Sequence, residues 1–205
     1  KSSSPSNFLI QGDTAYFSAN DGRSGHELWN YSLKNNKAKL VRNINTNTGT
    51  GSNPSELTSL NGEFVFAANG NAYGRELWIS DGTLAGTTLL KDINPGGLDS
   101  SPEDLSTLNG DIYFTGNTYF NGRQILKLNG NNLSVSELAN SSSEYTASEP
   151  DDLHSSNDQL FYSALTGTQP AQTDTPSIGG SSTSDPGGFM KAADGISADA
   201  VRYIN

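Results

Sequence analysis

The chain has 205 residues and a formal net charge of −10, with 22 acidic residues against 12 Lys and Arg, and it contains no Cys. The acidic balance argues against nucleic-acid and anionic-membrane partners, for which charge neutralisation supplies most of the affinity. Because Cys is absent, disulfides, thiolate metal sites and cysteine nucleophiles are excluded. Uninterrupted apolar runs fall far short of the roughly 18 residues of a membrane-spanning helix, so we expect no membrane insertion.

The ends of the sequence predict that it is part of something longer. It begins at Lys1, and its single methionine is Met190. We therefore expect a processed or excised piece of a larger protein, from which any export signal has been removed.

An internal repeat of about 48 residues runs through the whole sequence. Its clearest marker is an aromatic segment that follows a Gly or Asp anchor. The anchors are Gly12, Gly62, Gly110 and Asp158, spaced 50, 48 and 48 residues apart. The repeats predict one domain made of units 1–50, 51–98, 99–146 and 147–205.

Each unit carries four short β-type segments, separated by Gly, Asn and Asp-Gly turns. The third segment reads Gly-x-Glu-Leu-Trp at 25–29 and 74–78, and degrades to Gly-Arg-Gln-Ile-Leu at 122–126. In the fourth unit a polar insertion at 166–188, predicted to be a flexible loop, interrupts the pattern. Beyond it, residues 189–195 align with 76–82, and residues 201–205 align with 90–94.

Apolar residues occupy both alternating sets of some segments, as in Phe64-Val65-Phe66, so these strands require cover on both faces. Four antiparallel strands per unit, packed on neighbours at both faces, predict an all-β fold: a β-propeller of four blades of about 48 residues each. The alternative is that the chain forms part of a larger propeller. We interpret Trp29 and Trp78 as inter-blade packing residues.

Residues 76–96 resemble the ELWxxDGTxxGT repeat of large exported bacterial proteins, notably cyanobacterial surface proteins. They read Glu-Leu-Trp-Ile-Ser-Asp-Gly-Thr-Leu-Ala-Gly-Thr, followed by Thr-Leu-Leu-Lys-Asp-Ile-Asn-Pro-Gly. The match is close in the second unit, partial in the first and weak in the others. The resemblance implies a propeller-like fold in an extracellular or cell-surface setting, and it brings no catalytic residues.

The loops between the second and third strands are predicted to share one end of the propeller with the linkers between units. Binding residues are often carried by such loops. Aromatic rings beside Arg, Asn and Asp suit sugar hydroxyls and apolar sugar faces. The candidate ligand-binding residues are Asp21, Arg23, His26, Asn71, Tyr73, Arg75, Tyr119, Phe120 and Arg123. In the alternative interpretation His26, Arg75 and Arg123, which share one repeat position, only cover the strand edge.

Calcium is the one ion that the sequence suggests. Three Asp-Gly pairs supply the candidate ligands Asp21, Asp81 and Asp194, because carboxylate oxygens suit this ion. No Asp-x-Asp-x-Asp-Gly loop accompanies them, so turn formation is the alternative, and we expect no obligatory cofactor.

The sequence shows no recognisable set of catalytic residues. His26 and His154 lie at non-equivalent repeat positions, and Glu27 and Glu76 recur with the unit as scaffold residues do. We expect a non-catalytic structural or adhesive module at the bacterial cell surface, whose partner is a surface glycan or another surface protein. The alternatives are a lectin-like propeller that uses the loop end and, third, a glycoside-acting enzyme with paired carboxylates.

Overall fold

The computed structural model describes residues 3–47, 49–138, 148–165 and 189–191. These residues form four antiparallel sheets and no helix. Within each sheet consecutive strands are hydrogen-bonded neighbours, so every sheet is a simple meander. The expected all-β architecture of repeated antiparallel units is therefore confirmed for this part of the chain.

The strands follow the repeat. Sheet 1 contains β1 (Ser6–Gln11), β2 (Thr14–Asn20), β3 (His26–Ser32) and β4 (Lys37–Arg42). Sheet 2 contains β5 (Ser55–Leu60), β6 (Glu63–Gly70), β7 (Gly74–Ser80) and β8 (Thr88–Lys91). Sheet 3 contains β9 (Glu103–Leu108), β10 (Asp111–Thr118), β11 (Gly122–Leu128) and β12 (Val135–Glu137). Sheet 4 contains β13 (Ser148–Ser156), β14 (Gln159–Leu165) and β15 (Phe189–Lys191).

A two-residue turn joins the first two strands of every sheet. The first residues of these turns are Gly12, Asn61, Asn109 and Asn157, with φ of 55°, 50°, 52° and 49°. Gly and Asn tolerate this left-handed conformation, which hairpin turns require. The structure therefore aligns Gly12 with Asn61, and the repeat spacings are 49, 48 and 48. The expected first spacing of 50 was wrong, because it matched two glycines that occupy different positions of the turn.

The first strand of each sheet (β1, β5, β9 or β13), which we call the inner strand, is kinked two residues after its proline. The residues at the kink are Asn7, Glu56, Asp104 and Asp152, with φ of 54°, 60°, 57° and 54°. The pairing register with the second strand shifts at this point, as it does at a β-bulge. In sheets 1 and 2 the kinked side chain also reaches the next sheet. Asn7 donates to the Pro54 carbonyl at 3.2 Å, and Glu56 accepts from the backbone N–H of Leu105 at 3.4 Å.

Neighbouring sheets pack face to face. We call the side of a sheet that points to the preceding sheet its backward face and the opposite side its forward face. Between sheets 1 and 2, the forward residues Leu28, Val41 and Ile44 meet the backward residues Phe64, Phe66 and Trp78. Between sheets 2 and 3, Val65, Leu77 and Ile79 meet Ile112, Phe114 and Leu126. Between sheets 3 and 4, Leu108, Tyr113 and Ile125 meet Leu153, Leu160 and Tyr162.

The two tryptophans differ in their surroundings. Trp78 is 6% exposed in the interface between sheets 1 and 2, and its indole N–H donates to the Ala68 carbonyl at 3.1 Å. The prediction that Trp78 packs between neighbouring units of the repeat is confirmed. Trp29 occupies the equivalent position on the backward face of sheet 1, where no described sheet covers it.

In the fourth unit the predicted alignment was wrong by one residue. Met190 pairs with Tyr162, as Trp78 pairs with Phe66, so residues 189–191 correspond to 77–79 rather than 76–78. The insertion at 166–188 and the expected fourth strand at 201–205 lie outside the described residues.

The four sheets form an open row. Inner strands lie side by side from β1 to β5, from β5 to β9 and from β9 to β13. Among the described residues sheet 4 does not close against sheet 1. No helix in the described part of the chain is long and apolar enough to cross a membrane.

Candidate functional site

The loops between the second and third strands lie against the linkers between units, as predicted, and together they form what we call the loop end. Gly25 and Gly74, which open the Gly-x-Glu-Leu-Trp segments, lie very close to these linkers. A Cβ on Gly25 would lie 2.6 Å from the Gly51 backbone nitrogen, and one on Gly74 would lie 2.6 Å from an Asp99 carboxylate oxygen. Both glycines also have positive φ, of 78° and 70°. The segment therefore needs Gly at this position so that the linker can pass.

The glutamates of the two complete segments hold the linkers in place. The Glu76 carboxylate accepts from the backbone N–H groups of Ile93, Asn94 and Ser100 at 2.8, 3.4 and 3.0 Å, and from the Ser100 hydroxyl at 2.7 Å. Its exposure is 0%. A buried carboxylate requires such donors, since an unpaired buried charge is very costly.

Glu27 repeats this arrangement in the first unit. Its carboxylate accepts from the backbone N–H groups of Ile44, Asn45 and Ser52 and from the Ser52 hydroxyl. Burial raises the pKa of Glu27 and of Glu76, and the hydrogen bonds to serine and backbone oppose this increase. The interpretation of both glutamates as scaffold residues is confirmed by these contacts.

The Asp-Gly-Thr-x-x-Gly-Thr turn of the second unit forms a closed set of hydrogen bonds. Asp81 accepts from the backbone N–H and the hydroxyl of Thr83 at 2.8 and 2.7 Å, and the Thr83 hydroxyl accepts from the Gly86 N–H at 3.0 Å. A Cβ on Gly86 would collide with the Asp81 carboxylate. Gly82, with φ of 84°, lies against the hydroxyl of Tyr16 from sheet 1. This turn is thus an inter-sheet contact, a role that sequence reasoning missed.

Two of the three arginines in the candidate ligand site, Arg75 and Arg123, turn back onto the protein. Arg75 donates to the Asn53 carbonyl at 3.0 Å and to the Ser55 hydroxyl. Burial lowers the pKa of its guanidinium, against the opposing effect of nearby carboxylates. The equivalent Arg123 donates to the Pro150 carbonyl at 3.0 Å and pairs with Glu103 at 2.7 Å.

The polar candidates of the first loop also have local partners. One Asp21 oxygen accepts from the backbone N–H groups of Arg23 and Ser24, both at 2.8 Å, and these bonds lower the pKa of this exposed carboxylate. Arg23 is exposed, whereas His26 is half-buried with its ring 3.5 Å from the Ser18 hydroxyl. This loop therefore presents Arg23 to solvent and ties Asp21 into its own turn.

The aromatic candidates are the accessible ones. Tyr119 and Phe120 are 61% and 88% exposed, and their rings meet edge to face at 4.9 Å. Tyr73, in the corresponding loop of sheet 2, is 43% exposed. Asn71 in that loop accepts from the Thr46 backbone N–H at 2.9 Å and is bound to the linker. Among the candidate residues of the loop end, the aromatic rings are therefore more accessible to a ligand than most of the charged groups are.

The described metal candidates, Asp21 and Asp81, each use their Oδ1 oxygen as an acceptor for turn donors. Asp21 and Asp81 both accept from the turns that they open, and Asp194 lies outside the described residues. Among the residues described, no group of three or more His, Cys, Asp and Glu is arranged to hold a metal ion.

Comparison with known proteins shows a likeness of fold only. A puromycin hydrolase matches with a TM-score of 0.52 and 15% identity over 78% of this chain. A structure from a study of two prolyl endopeptidases matches with a TM-score of 0.50 and 13% identity over 75% of this chain. TolB from Acinetobacter baumannii matches at 0.45, with 15% identity over 80% of this chain and 40% of its own, and at that score it supports no argument. The sequence matches no protein-family model and no curated protein.

The chain spans only a small part of the two enzymes. It covers 24% of the puromycin hydrolase chain and 21% of the prolyl endopeptidase chain. The structural neighbours are β-propeller-like proteins. The class of protein is therefore an all-β chain of four antiparallel sheets with a propeller-like arrangement.

Proposed function

We propose that the chain is a non-catalytic β-propeller module, with structural or adhesive function, of an exported bacterial surface protein that carries the ELWxxDGTxxGT repeat. One observation carries the proposal. Glu27 and Glu76 are fully buried and make the same four hydrogen bonds to the following linker. The repeated charged residues of the motif are therefore used to hold the scaffold, as expected of a module selected for its shape.

In this proposal each sheet is one blade of about 48 residues, and the setting is extracellular or cell-surface. The chain contributes four blades. The proposed propeller has these four blades, and the alternative is that they belong to a larger propeller. The partner is a surface glycan or another surface protein.

A lectin-like function is the second candidate, because the loop end exposes three aromatic rings. Tyr119 and Phe120 form one exposed pair, and Tyr73 lies in the neighbouring loop. Aromatic faces pack well on the apolar faces of sugars.

The test is a glycan-array screen of the purified chain, run with calcium and again with a chelator. The variant Tyr119→Ala/Phe120→Ala is screened beside the wild type, and thermal unfolding shows that both are folded. The structural proposal expects equal melting temperatures and no sugar binding that depends on the Tyr119 and Phe120 rings. Specific binding that the double variant loses would contradict it in favour of the lectin, and a loss with chelator would add calcium to that site.

Catalysis is tested in the same samples. Chromogenic glycosides are expected to remain intact at high protein concentration. Reproducible turnover that disappears on substitution of a carboxylate, with binding retained, would contradict the non-catalytic proposal and support a glycoside-acting enzyme.

A further inference from the structure

The outer edge of sheet 1 concentrates positive charge in an acidic protein. Residues 28–55 contain four of the 12 Lys and Arg of the chain and none of its 22 Asp and Glu. Three of the four are the exposed lysines Lys34, Lys37 and Lys39, which we call the basic strip. The strip therefore has the opposite sign to the protein as a whole, whose net charge is −10.

Two lysines of the strip project from the same face of the outer strand β4. Lys37 pairs with Ser32 and Lys39 pairs with Asn30 across the ladder to β3. Side chains two residues apart on a strand share a face and are separated by about 6.8 Å along it. Lys34 lies in the turn that joins β3 to β4. The strip therefore presents its charges along one edge of the sheet, beside neutral polar side chains.

The charges of the strip are not neutralised within the described part of the chain. The ion pairs found there involve Arg123 and Lys127, and none involves a lysine of the strip. Arg42, the fourth cation of this region, is used differently, since it donates to the carbonyls of Leu84 and Thr87 in sheet 2. The three lysines are thus accessible cations, whereas the arginine next to them supports the packing of two sheets.

The strip is specific to the first unit and is not required by the fold. With the structural spacing of 49, Lys37 and Lys39 correspond to Gly86 and Thr88 of the second unit. The outer strand β12 of sheet 3 carries Glu137 and no cation. Lysines on an edge strand can prevent its pairing with other chains. The outer strands of sheets 2 and 3 are also edges, yet they lack a comparable set of lysines, so edge protection does not account for the strip.

The surroundings of the strip fit a sugar chain. The turn between Lys34 and Lys37 supplies Asn35 and Asn36, and amide groups suit sugar hydroxyls. Leu40, the neighbour of Lys39, borders an open groove of ≈ 710 Å³ between sheets 1 and 2. Leu84 on the other side of this groove is 64% exposed and offers apolar surface to the C–H groups of a sugar ring. Charge, amide groups and apolar surface therefore occur together here.

We propose that the basic strip binds a linear anionic polysaccharide, whose carboxylates lie along the three lysines and whose sugar rings lie against the groove. The inference rests on the proposed adhesive function and names the chemical class of its glycan partner. A thin polymer follows the strip without approaching the rest of the surface. A flat anionic membrane or a nucleic-acid duplex brings its charges close to the surrounding carboxylates, and the net charge of −10 opposes that approach.

The experiment measures the binding of alginate oligomers to the full chain by isothermal titration calorimetry, in calcium-free buffer at low and at physiological ionic strength. Neutral dextran is the uncharged probe. The variant Lys37→Gln/Lys39→Gln removes two charges of the strip. Asn131→Asp/Ser136→Asp is the matched control, because it lowers the net charge by the same two units at exposed positions of sheet 3. Circular dichroism checks that both variants are folded.

We expect the wild type to bind alginate and not dextran, and to bind alginate more weakly as added salt screens the charges. Each exposed charge pair contributes a factor of about 1.4 to 5 to the affinity. The strip variant is therefore expected to bind about fivefold more weakly at low ionic strength. The matched control is expected to change the affinity by less than about twofold, because its added charges lie beyond a Debye length in sheet 3.

Three results would overturn the proposal. The first is no alginate binding at low ionic strength, and the second is an equal loss in both variants, which would assign the effect to net charge. The third is tighter binding of duplex DNA or of phosphatidylserine vesicles through the same lysines, which would exclude a polysaccharide as the preferred partner. None of these results bears on the non-catalytic function of the module, whose failure would appear as glycoside turnover or as sugar binding that depends on Tyr119 and Phe120.

Discussion

The buried Glu76 carboxylate gives the most quantitative test of how the repeat motif works. Glu76→Gln keeps the size of the side chain and replaces one acceptor oxygen by a donor NH₂ group. We place the new amide nitrogen where the carboxylate oxygen accepted from Ile93 and Ser100. The Ser100 hydroxyl can then accept from the amide, because its own hydrogen can be donated to the Arg75 carbonyl 3.2 Å away. The backbone N–H of Ile93 then faces a donor and loses its partner.

The expected cost follows from this one lost partner. A buried donor left unsatisfied costs about 1–3 kcal/mol. For a chain of this length that corresponds to a melting temperature lower by about 2–12 °C. Glu76→Ala removes the acceptor of three backbone N–H groups and is expected to cost at least about 3 kcal/mol, a large part of the stability of an ordinary domain.

The third unit supplies the matched control. Gln124 stands at the position of Glu76, and its amide donates to the Asn121 carbonyl at 2.7 Å at the surface. Gln124→Ala is therefore expected to cost under about 1 kcal/mol. Urea unfolding, followed by tryptophan fluorescence and circular dichroism, measures all three variants. The reasoning is refuted if Glu76→Gln shifts the unfolding midpoint no more than Gln124→Ala does.

Three further outcomes follow from the same structure. Gly82→Ala forces a side chain into a position with φ of 84° beside the Tyr16 hydroxyl, and is expected to destabilise by more than about 1–2 kcal/mol in urea unfolding; an unchanged midpoint would contradict the inter-sheet role of the turn. Burial raises the pKa of Glu76 in the folded state. The stability that this shift contributes to the fold is therefore fully present below the ordinary glutamate pKa, and it is lost as the pH rises through the raised pKa of the folded state. The stability difference between wild type and Glu76→Gln should thus shrink from about pH 4 upward in paired urea titrations, and a difference that grows would show the opposite shift. Phe120→Ala removes an 88% exposed ring and is expected to change the melting temperature by less than about 2 °C in calorimetry, whereas a larger loss would mean that this ring supports the fold.

Much of the local structure was predictable, because turn residues and apolar alternation act over short distances. The aromatic segments formed second strands, and Gly, Asn and Asp formed the turns between them. Glutamates that recur with the unit were correctly interpreted as scaffold. The two register errors occurred at Gly62 and at residues 189–191. In both, residues were aligned by similarity of type, whereas the structure aligns them by turn position or by pairing partner in the sheet.

The sequence by itself determined the repeat, the all-β class and the strands of each unit, since these depend on the period of the residues and on their conformational preferences. Only the tertiary structure decided which donors surround Glu76, why Gly82 must lack a side chain, and that Arg75 turns back onto its own sheet. It also decided that Trp78 is covered while its repeat counterpart Trp29 is not. The physical reason is that burial and hydrogen bonding depend on the neighbouring sheet, so equivalent segments of the repeat acquire different surroundings in different sheets.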